Sequence, residues 1–319
     1  MRFWLALAVS ACLQARPLEI YFIDTDGGQA TLIVSPSGQS LLVGAGFTNF
    51  SGRDADRILA AAKQAHVKHI DAVLITDHRP EEEGGVPNLL ERFTVGTFYD
   101  AGPTANPKPD RTNKAYEAAV AKQQRETVKP GGTIPIKWIE VTVLTAAGKH
   151  IETGGSANSF CAGSAPQESD PESARSAGIV VEYGKFHLAD LGDLGWNQQL
   201  DLLCPENRAG KIDLLVAPGH GAPVPKAIYG MAPRVVIMNN GPRKGDDPAG
   251  FKTLAESPGL EDLWQLHFSL SGGEASNVPD LRIANVEEHC AGLPLKVTVE
   301  SSGAFTVFNP RNKYSKTYK

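Results

Sequence analysis

An α/β (α+β) fold is expected from three features of the sequence. Continuous apolar runs bounded by turn residues alternate with amphipathic helical stretches. The pattern occurs twice: strands, then a helix, then a strand that ends in a polar, glycine-containing loop. A hairpin-like segment, PLKVTVESSGAFTVFNP, closes the chain.

The first half opens as a hairpin sheet. LEIYFI, QATLIVS and QSLLVGAG read as strands separated by the turns DTDGG and PSG. Their apolar runs are continuous rather than alternating, as in well-buried strands. RDADRILAAAKQAHV follows as a helix with Ile58, Leu59, Ala62 and Ala65 as its apolar stripe. DAVLIT is the next strand and runs into the loop DHRPEEEGG. VPNLLERF reads as a short helix, VGTFYDAG as a strand with its exit, and NKAYEAAVAKQQRE as a polar amphipathic helix. KWIEVTVLTA is a strand. From Gly148 to about Ser176 the Gly, Ser, Pro and Ala content predicts a long surface loop that Cys161 could pin. In the second half AGIVVEYG and KFHLADLGD pair as a hairpin, and a helix spans Trp196 to about Leu203. KIDLLVAPGHG and PRVVIMNN are strands, PAGFKTLAES is a helix and EDLWQLHF a strand. No repeat of fixed period is present.

The 319 residues are 41% hydrophobic and 21% charged, enough apolar surface to bury a core without metal or disulfide staples. A net charge of −5 and the lack of a long basic run argue against nucleic acid as a partner. The basic tail NPRNKYSKTYK reads as a solvated terminus. MRFWLALAVSACLQARPLEI carries one Arg and an apolar run from Phe3 to Leu13, too short to span a bilayer and in the form of a secretory signal peptide. Cleavage after Ala15 leaves one domain over residues 16–319. VSAC also reads as a lipobox, which leaves Cys12 as a lipid-carrying first residue. A cytoplasmic protein with a buried N-terminal strand is the remaining reading. Export places the protein in the periplasm, on the envelope or outside the cell, where Cys161, Cys204 and Cys290 allow one disulfide and one thiol. The pairing stays open. No two of these cysteines are close enough in sequence for a metal cluster, so they read as structural.

In order and spacing, IYFIDTDGGQATLIVSPSG, LITD…GGVPNLL, LADLGDLGWN, APGHG and VVIMNNGPRKG…SPGLEDLWQLHF resemble the metallo-β-lactamase fold. Within it they look like the secreted, competence-protein-like hydrolases. The resemblance covers nearly the whole mature chain. It implies a four-layer αββα sandwich with two facing sheets and a one- or two-metal site at one edge between them.

The family's metal loop has the pattern T-H-x-H-x-D-H-x-G-G, which gathers imidazoles and a carboxylate on zinc and turns bound water into hydroxide near neutral pH. Here Thr76, Gly84 and Gly85 match. The ligand positions hold Asp77, Arg79, Glu81 and Glu82, and His78 stands one place out of register. Pro80 stiffens the turn. Gly44 replaces the aspartate of an LLVDTG stretch, and FYDAG offers Ala101 where another histidine is usual. Asp193 keeps the bridging aspartate of LGD, and His220 is the one imidazole in GHG where relatives have HHG.

A guanidinium cannot be neutralised in a protein. At about 4 Å and an effective dielectric of ~20 it repels a dication by several kcal/mol. The leading expectation is therefore an exported, non-catalytic relative of metal-dependent hydrolases with no resident cofactor, acting by binding a small molecule or as a binding or structural partner of an envelope protein. In it, Glu81, Glu82 and Glu83 fold around Arg79 as an ion-pair network in place of the metal. The alternative is a working hydrolase of ester, amide or phosphodiester bonds. Asp77, Glu81 or Glu82, Asp193 and His220 would then hold a divalent metal, with manganese, magnesium or calcium better suited than zinc to so many oxygen ligands.

Plainer roles compete for each residue. Asp77 is also a turn and capping residue, Asp193 a turn residue and His220 a structural hydrogen-bonder. Glu81–Glu83 also read as a solvated face before a helix. His66, His69, His150, His187, His267 and His289 lack ligand spacing, and Trp196 and Trp264 read as core or interface aromatics. No G-x-S-x-G elbow or H-E-x-x-H helix offers a rival catalytic set.

Overall fold

The computed structural model describes residues 16–319 except 49, 164, 169, 221, 222, 226 and 246, together with all side chains there but those of Phe50 and His220. The expected signal segment and Cys12 lie outside the described residues.

The first half runs β1 (Leu18–Phe22), β2 (Thr31–Val34), β3 (Ser40–Val43), α1 (Arg53–Gln64), β4 (Ile70–Ile75), α2 (Pro80–Glu83), α3 (Val86–Leu90), β5 (Val95–Asp100), α4 (Arg111–Val120) and β6 (Gln124–Thr127). The second half holds β7 (Glu140–Ala146), β8 (Lys149–His150), β9 (Ser156–Ala157), β10 (Gly178–Tyr183), β11 (Phe186–Asp190), α5 (Trp196–Leu203), β12 (Glu206–Asn207), β13 (Leu214–Val216), β14 (Val235–Met238), α6 (Pro248–Ala255), β15 (Asp262–His267) and β16 (Ile283–Asn285). The chain closes with β17 (Leu295–Val299), β18 (Phe305–Asn309) and β19 (Tyr314–Tyr318).

Among the described residues these strands form two large sheets, ordered β19-β18-β17-β1-β2-β3-β4-β5-β6 and β16-β15-β14-β13-β11-β10-β7-β8. The closing meander returns to the first sheet, with β17 beside β1 and β19 at the sheet edge. Alternation decides which side chains face the middle. Leu295, Val297 and Val299 point inward while Lys296 and Thr298 do not. Ile20, Leu41, Val43 and Leu74 of the first sheet pack with Val143, Ile179, Val181 and Trp264 of the second in one shared core. Two outer cores complete the layers. Ile58, Ala61 and Ala62 of α1, with Leu89 and Tyr116, cover the first sheet. Leu202 and Leu203 of α5, with Ile228 and Leu254, cover the second. The expected αββα sandwich is thus the observed one.

α1 forms where its stripe predicts. Ile58, Ala61 and Ala62 are buried, Asp54 and Asp56 lie in its first turn, and Lys63 lies in its last, which suits the helix dipole. Burying Ile58 alone is worth roughly 1.5–3 kcal/mol. The polar helix after it is shorter than expected. α4 starts at Arg111 behind the N-cap Asp110, whose carboxylate accepts from the Asn113 N–H at 2.8 Å, and stops at Val120. Gln124, Arg125 and Glu126, expected to be helical, instead pair in parallel with β5 as part of β6 and extend the sheet. An open sheet edge gives those residues a backbone ladder that local pattern does not reveal.

The segment after Gly148 is mostly loop, as expected, with short strands at Lys149–His150 and Ser156–Ala157. It is pinned by a Cys161–Cys204 disulfide, which leaves Cys290 as the free thiol among the described residues. Among the described residues no helix is long and apolar enough to cross a membrane.

Candidate functional site

Parallel pairing of β3 with β4 and β4 with β5 brings the exits of three strands to one edge of the first sheet. The exits of β11 and β13, also parallel, lie at one edge of the second. The two edges meet. Ala177 N–H donates to the Thr76 carbonyl at 2.7 Å, and a Cβ on Gly192 would stand 2.7 Å from the Thr76 side chain.

The loop after β4 is held by backbone bonds. Ala45 N–H donates to the Glu82 carbonyl at 2.8 Å, Gln29 N–H to Glu81 at 3.2 Å, and Gly85 N–H to Gly46 at 2.8 Å. Gly85 is required here, since a Cβ would lie 1.9 Å from the Ala45 carbonyl oxygen. The retained glycines therefore preserve the frame of the loop whatever its side chains do.

Those side chains form a charge network around Arg79. Its Nη1 donates to Asp193 Oδ2 at 3.0 Å, and Nη2 donates to Asp170 Oδ1 at 2.8 Å and to Ser173 Oγ. Burial works against its charge, but Asp193, Asp77 and Asp170 outweigh that and hold the pKa above the ordinary arginine value. Asp77 is buried, and its Oδ1 accepts from the Arg79 N–H at 3.2 Å, the turn role expected of it. Pro80 opens α2 directly after Arg79.

The expected network of Arg79 with the three adjacent glutamates is corrected. Glu83 Oε2 bonds His78 Nδ1 at 2.6 Å, Glu82 Oε2 accepts from Thr76 Oγ1 at 2.9 Å, and Glu81 pairs with Lys244 at 2.6 Å. Nor are they a solvated face, because Glu82 and Glu83 are fully buried. In α2 the glutamates turn away from Arg79, whose charge is met across the cleft by residues about ninety to over a hundred positions later. Asp170 and Ser173 come from the long loop and carry no local motif; sequence reasoning missed both.

His78, out of register as a ligand, has a different task. Nδ1 meets Glu83, and Nε2 meets the Gly102 carbonyl at 2.6 Å. A carbonyl can only accept, so Nε2 carries a proton, and the carboxylate favours one on Nδ1 as well. Burial pulls the imidazole toward neutrality, but Glu83 and Gly102 prevail and raise its pKa to about 9. The ring also lies 5.4 Å from that of Tyr116.

Of the other expected site positions, Gly44 cannot regain an aspartate cheaply. Its φ is +70°, and a Cβ would stand 2.4 Å from the Gln29 carbonyl oxygen. Ala101 is buried. The backbone at Pro218–His220 forms a 3-10 turn after β13, and the His220 side chain lies outside the described set. Behind Asp193, Asp190 is buried and accepts from Gln29 Nε2 at 2.5 Å and from Gly192 N–H at 3.0 Å. Burial raises its pKa to about 6.

A second cluster, also missed from sequence, gathers Asp24, Asp26, His267 and Cys290 with one ligand atom each within 4.8 Å of the others. It too contains arginine. Arg57 Nη1 is 3.4 Å from Asp24 and 3.1 Å from Asp26, and Arg53 also binds Asp26. Burial and Asp24 push the Cys290 thiol up to about 11.

In both sets of residues that the implied metal would take, an arginine already pairs with the carboxylates. At the loop, Arg79 is the cation on Asp193, the carboxylate that a metal would otherwise take, and Glu81 and Glu82 are aimed at Lys244 and Thr76.

No protein-family model matches the chain, and no curated protein matches it. Solved structures do. In arrangement the chain is similar to metallo-β-lactamase-fold proteins. One is YhfI from Bacillus subtilis, at 12% identity and a TM-score of 0.48, over 78% of this chain and 96% of that one. Another is a metallo-β-lactamase from Cronobacter sakazakii with a HARLDQ motif, at 13% identity and a TM-score of 0.39, over 78% of this chain and 88% of that one. CmlA, a diiron β-hydroxylase from Streptomyces venezuelae, is similar at 10% identity and a TM-score of 0.40, over 70% of this chain. The match spans 44% of the hydroxylase. None of these likenesses carries a function to this chain.

Proposed function

We propose that this chain is an exported, competence-protein-like sandwich of the metallo-β-lactamase type in which an arginine has replaced the metal, and that it acts by binding rather than by hydrolysis. One observation carries the reading: Arg79 Nη1 lies 3.0 Å from Asp193 Oδ2, on the carboxylate that relatives are expected to give to a metal. Neighbouring features support it. Asp77 and Asp170 add to the charge around the same guanidinium, and the loop keeps its backbone frame through Gly85. The edge then works as a fixed ion-pair joint between two sheets. Losing one partner of such a joint costs more than the joint itself contributes, because the other charge stays buried.

Beside Arg79 a cleft of about 380 Å³ runs between Thr104–Asn113 and Asp170–Glu172, with Pro107, Pro109 and Pro171 on its walls. It offers a place for a small molecule or a segment of an envelope protein. The Cys161–Cys204 disulfide supports the export reading, since such bonds persist in oxidising compartments.

The test combines calorimetric titration of chelator-free protein with Zn²⁺, Mn²⁺ and Mg²⁺ and a panel of ester, amide and phosphodiester substrates. The expected result is no metal-dependent turnover. Metal-dependent hydrolysis that Asp193→Ala abolishes overturns the reading in favour of a carboxylate-rich metal enzyme.

A further inference from the structure

A cleft of about 800 Å³ opens on the outer face of the second sheet. It lies where β13 and β14 begin, at Ile212, Asp213 and Arg234. Arg79 stands past the strand exits, so this cleft is at the opposite strand ends and owes nothing to the metal question. The helical layer stops short of it. α5 and its neighbours cover Ala189 and Leu215, while Thr142, Glu182 and His187 of the same face line the opening.

Its floor is apolar: Leu144, Val180 and Ile212 line it and are buried. One wall comes from the small two-stranded sheet of β9 and β12 and includes Ser156 and Asn207. The disulfide ties that wall to the end of α5.

The rim is cationic in a chain whose net charge is −5. Lys185, Arg208, Lys211 and Arg234 line the cleft against two acids, Glu182 and Asp213. Compensation among them is uneven. Arg234 is satisfied by Glu261 at 2.8 Å and Asp213 at 3.3 Å. Arg208 has one long contact, 3.5 Å to a half-exposed Glu206, and its buried Nε has no hydrogen-bond partner. Lys185 and Lys211 are exposed and have no ion-pair partner among the described residues. An incompletely paired guanidinium and two loose ammonium groups above a dry floor match one class of ligand. Its charge must be negative and its body apolar.

We propose that this cleft binds a small organic anion with an apolar body, its carboxylate or phosphate head held by Arg208, Lys211 and Lys185 and its body laid on Leu144, Val180 and Ile212. The salt dependence follows from the exposed lysines, which are screened within about 8–10 Å at ordinary ionic strength. The planar fork of Arg208 accepts a carboxylate or a phosphate alike.

The experiment uses the full chain and decanoate, decyl phosphate and decyltrimethylammonium as probes, below their micelle thresholds, by calorimetry. One decanoate or decyl phosphate is expected to bind per chain, more weakly as NaCl rises. The exposed double variant Lys185→Glu/Lys211→Glu is expected to lose about tenfold or more in affinity, with an unchanged circular dichroism spectrum. Arg208→Ala is expected to lose a comparable factor. Affinity unchanged in both variants overturns the proposal. So does equal binding of decyltrimethylammonium, which would reveal apolar adhesion alone, and so does the absence of saturable binding of both anions.

Discussion

Arg79 Nη1 and Asp193 Oδ2 lie 3.0 Å apart and join the exit of β4 in the first sheet to the exit of β11 in the second. The pair spans 114 positions of sequence and is largely buried on the aspartate side. Arg79→Ala is therefore expected to destabilise the fold by about 2–4 kcal/mol, less than a fully buried pair because the guanidinium is partly exposed. Arg79→Lys is expected to recover only part of this, since an ammonium cannot bridge Asp193, Asp170 and Ser173 in one plane. Urea unfolding of the three proteins checks both; an Arg79→Ala protein as stable as the parent would remove the joint from the energetics.

His78 and Glu83 give a pH signature. The folded pKa of His78, about 9, exceeds the ordinary value of 6.5, so its contribution is fully present below about pH 6.5 and is lost as pH rises through about 9. The loss is on the order of 3 kcal/mol. Burial pushes the Glu83 carboxyl up while His78 pulls it down, and the accepting carbonyl of Gly102 favours the charged pair. Nitrogen NMR of the ring should show both nitrogens protonated at pH 7.5. His78→Gln should flatten the alkaline decline in stability.

Placing an aspartate at position 44, where the resemblance expects one, by Gly44→Asp is expected to fail. A side chain at φ +70° with its Cβ 2.4 Å from a backbone oxygen must move β3 or the Gln29 turn. A loss above about 2 kcal/mol, or insoluble protein, is expected. A melting temperature within error of the parent would show that the turn yields easily.

The Cys161–Cys204 bridge closes a loop of sequence separation 43, which the chain-entropy view values at about 4 kcal/mol. Cys161→Ser/Cys204→Ser should lower the midpoint of unfolding accordingly. Dithiothreitol should do the same to the parent and nothing further to the variant.

The elements were legible wherever the signal was local. The α1 stripe and the apolar runs of β1, β3, β4, β10 and β14 are readable because burial on a known period leaves a mark in sequence. β6 was not, since Gln124–Thr127 are strand only by pairing with β5, and their residue types fit an exposed helix equally well. The site divided in the same way. That Asp77, Arg79 and Glu82 stand where the resemblance expects imidazoles, and Glu81 where it expects an aspartate, is readable from the chain alone. The partners of Arg79 were not, because Asp170 and Ser173 arrive from a loop with no motif. The glutamates misled because proximity in sequence is not direction in space: in a single helical turn they point to His78, Thr76 and Lys244. The gathering of His267 and Cys290 with Asp24 and Asp26 depends wholly on strand exits meeting, and no spacing announces it.

Elemental analysis of protein purified without chelators tests most directly whether a guanidinium stands in for the metal. Well below one transition or alkaline-earth ion per chain is expected, for the parent and for Asp193→Ala alike. A stoichiometric ion in the parent that Asp193→Ala removes would contradict it.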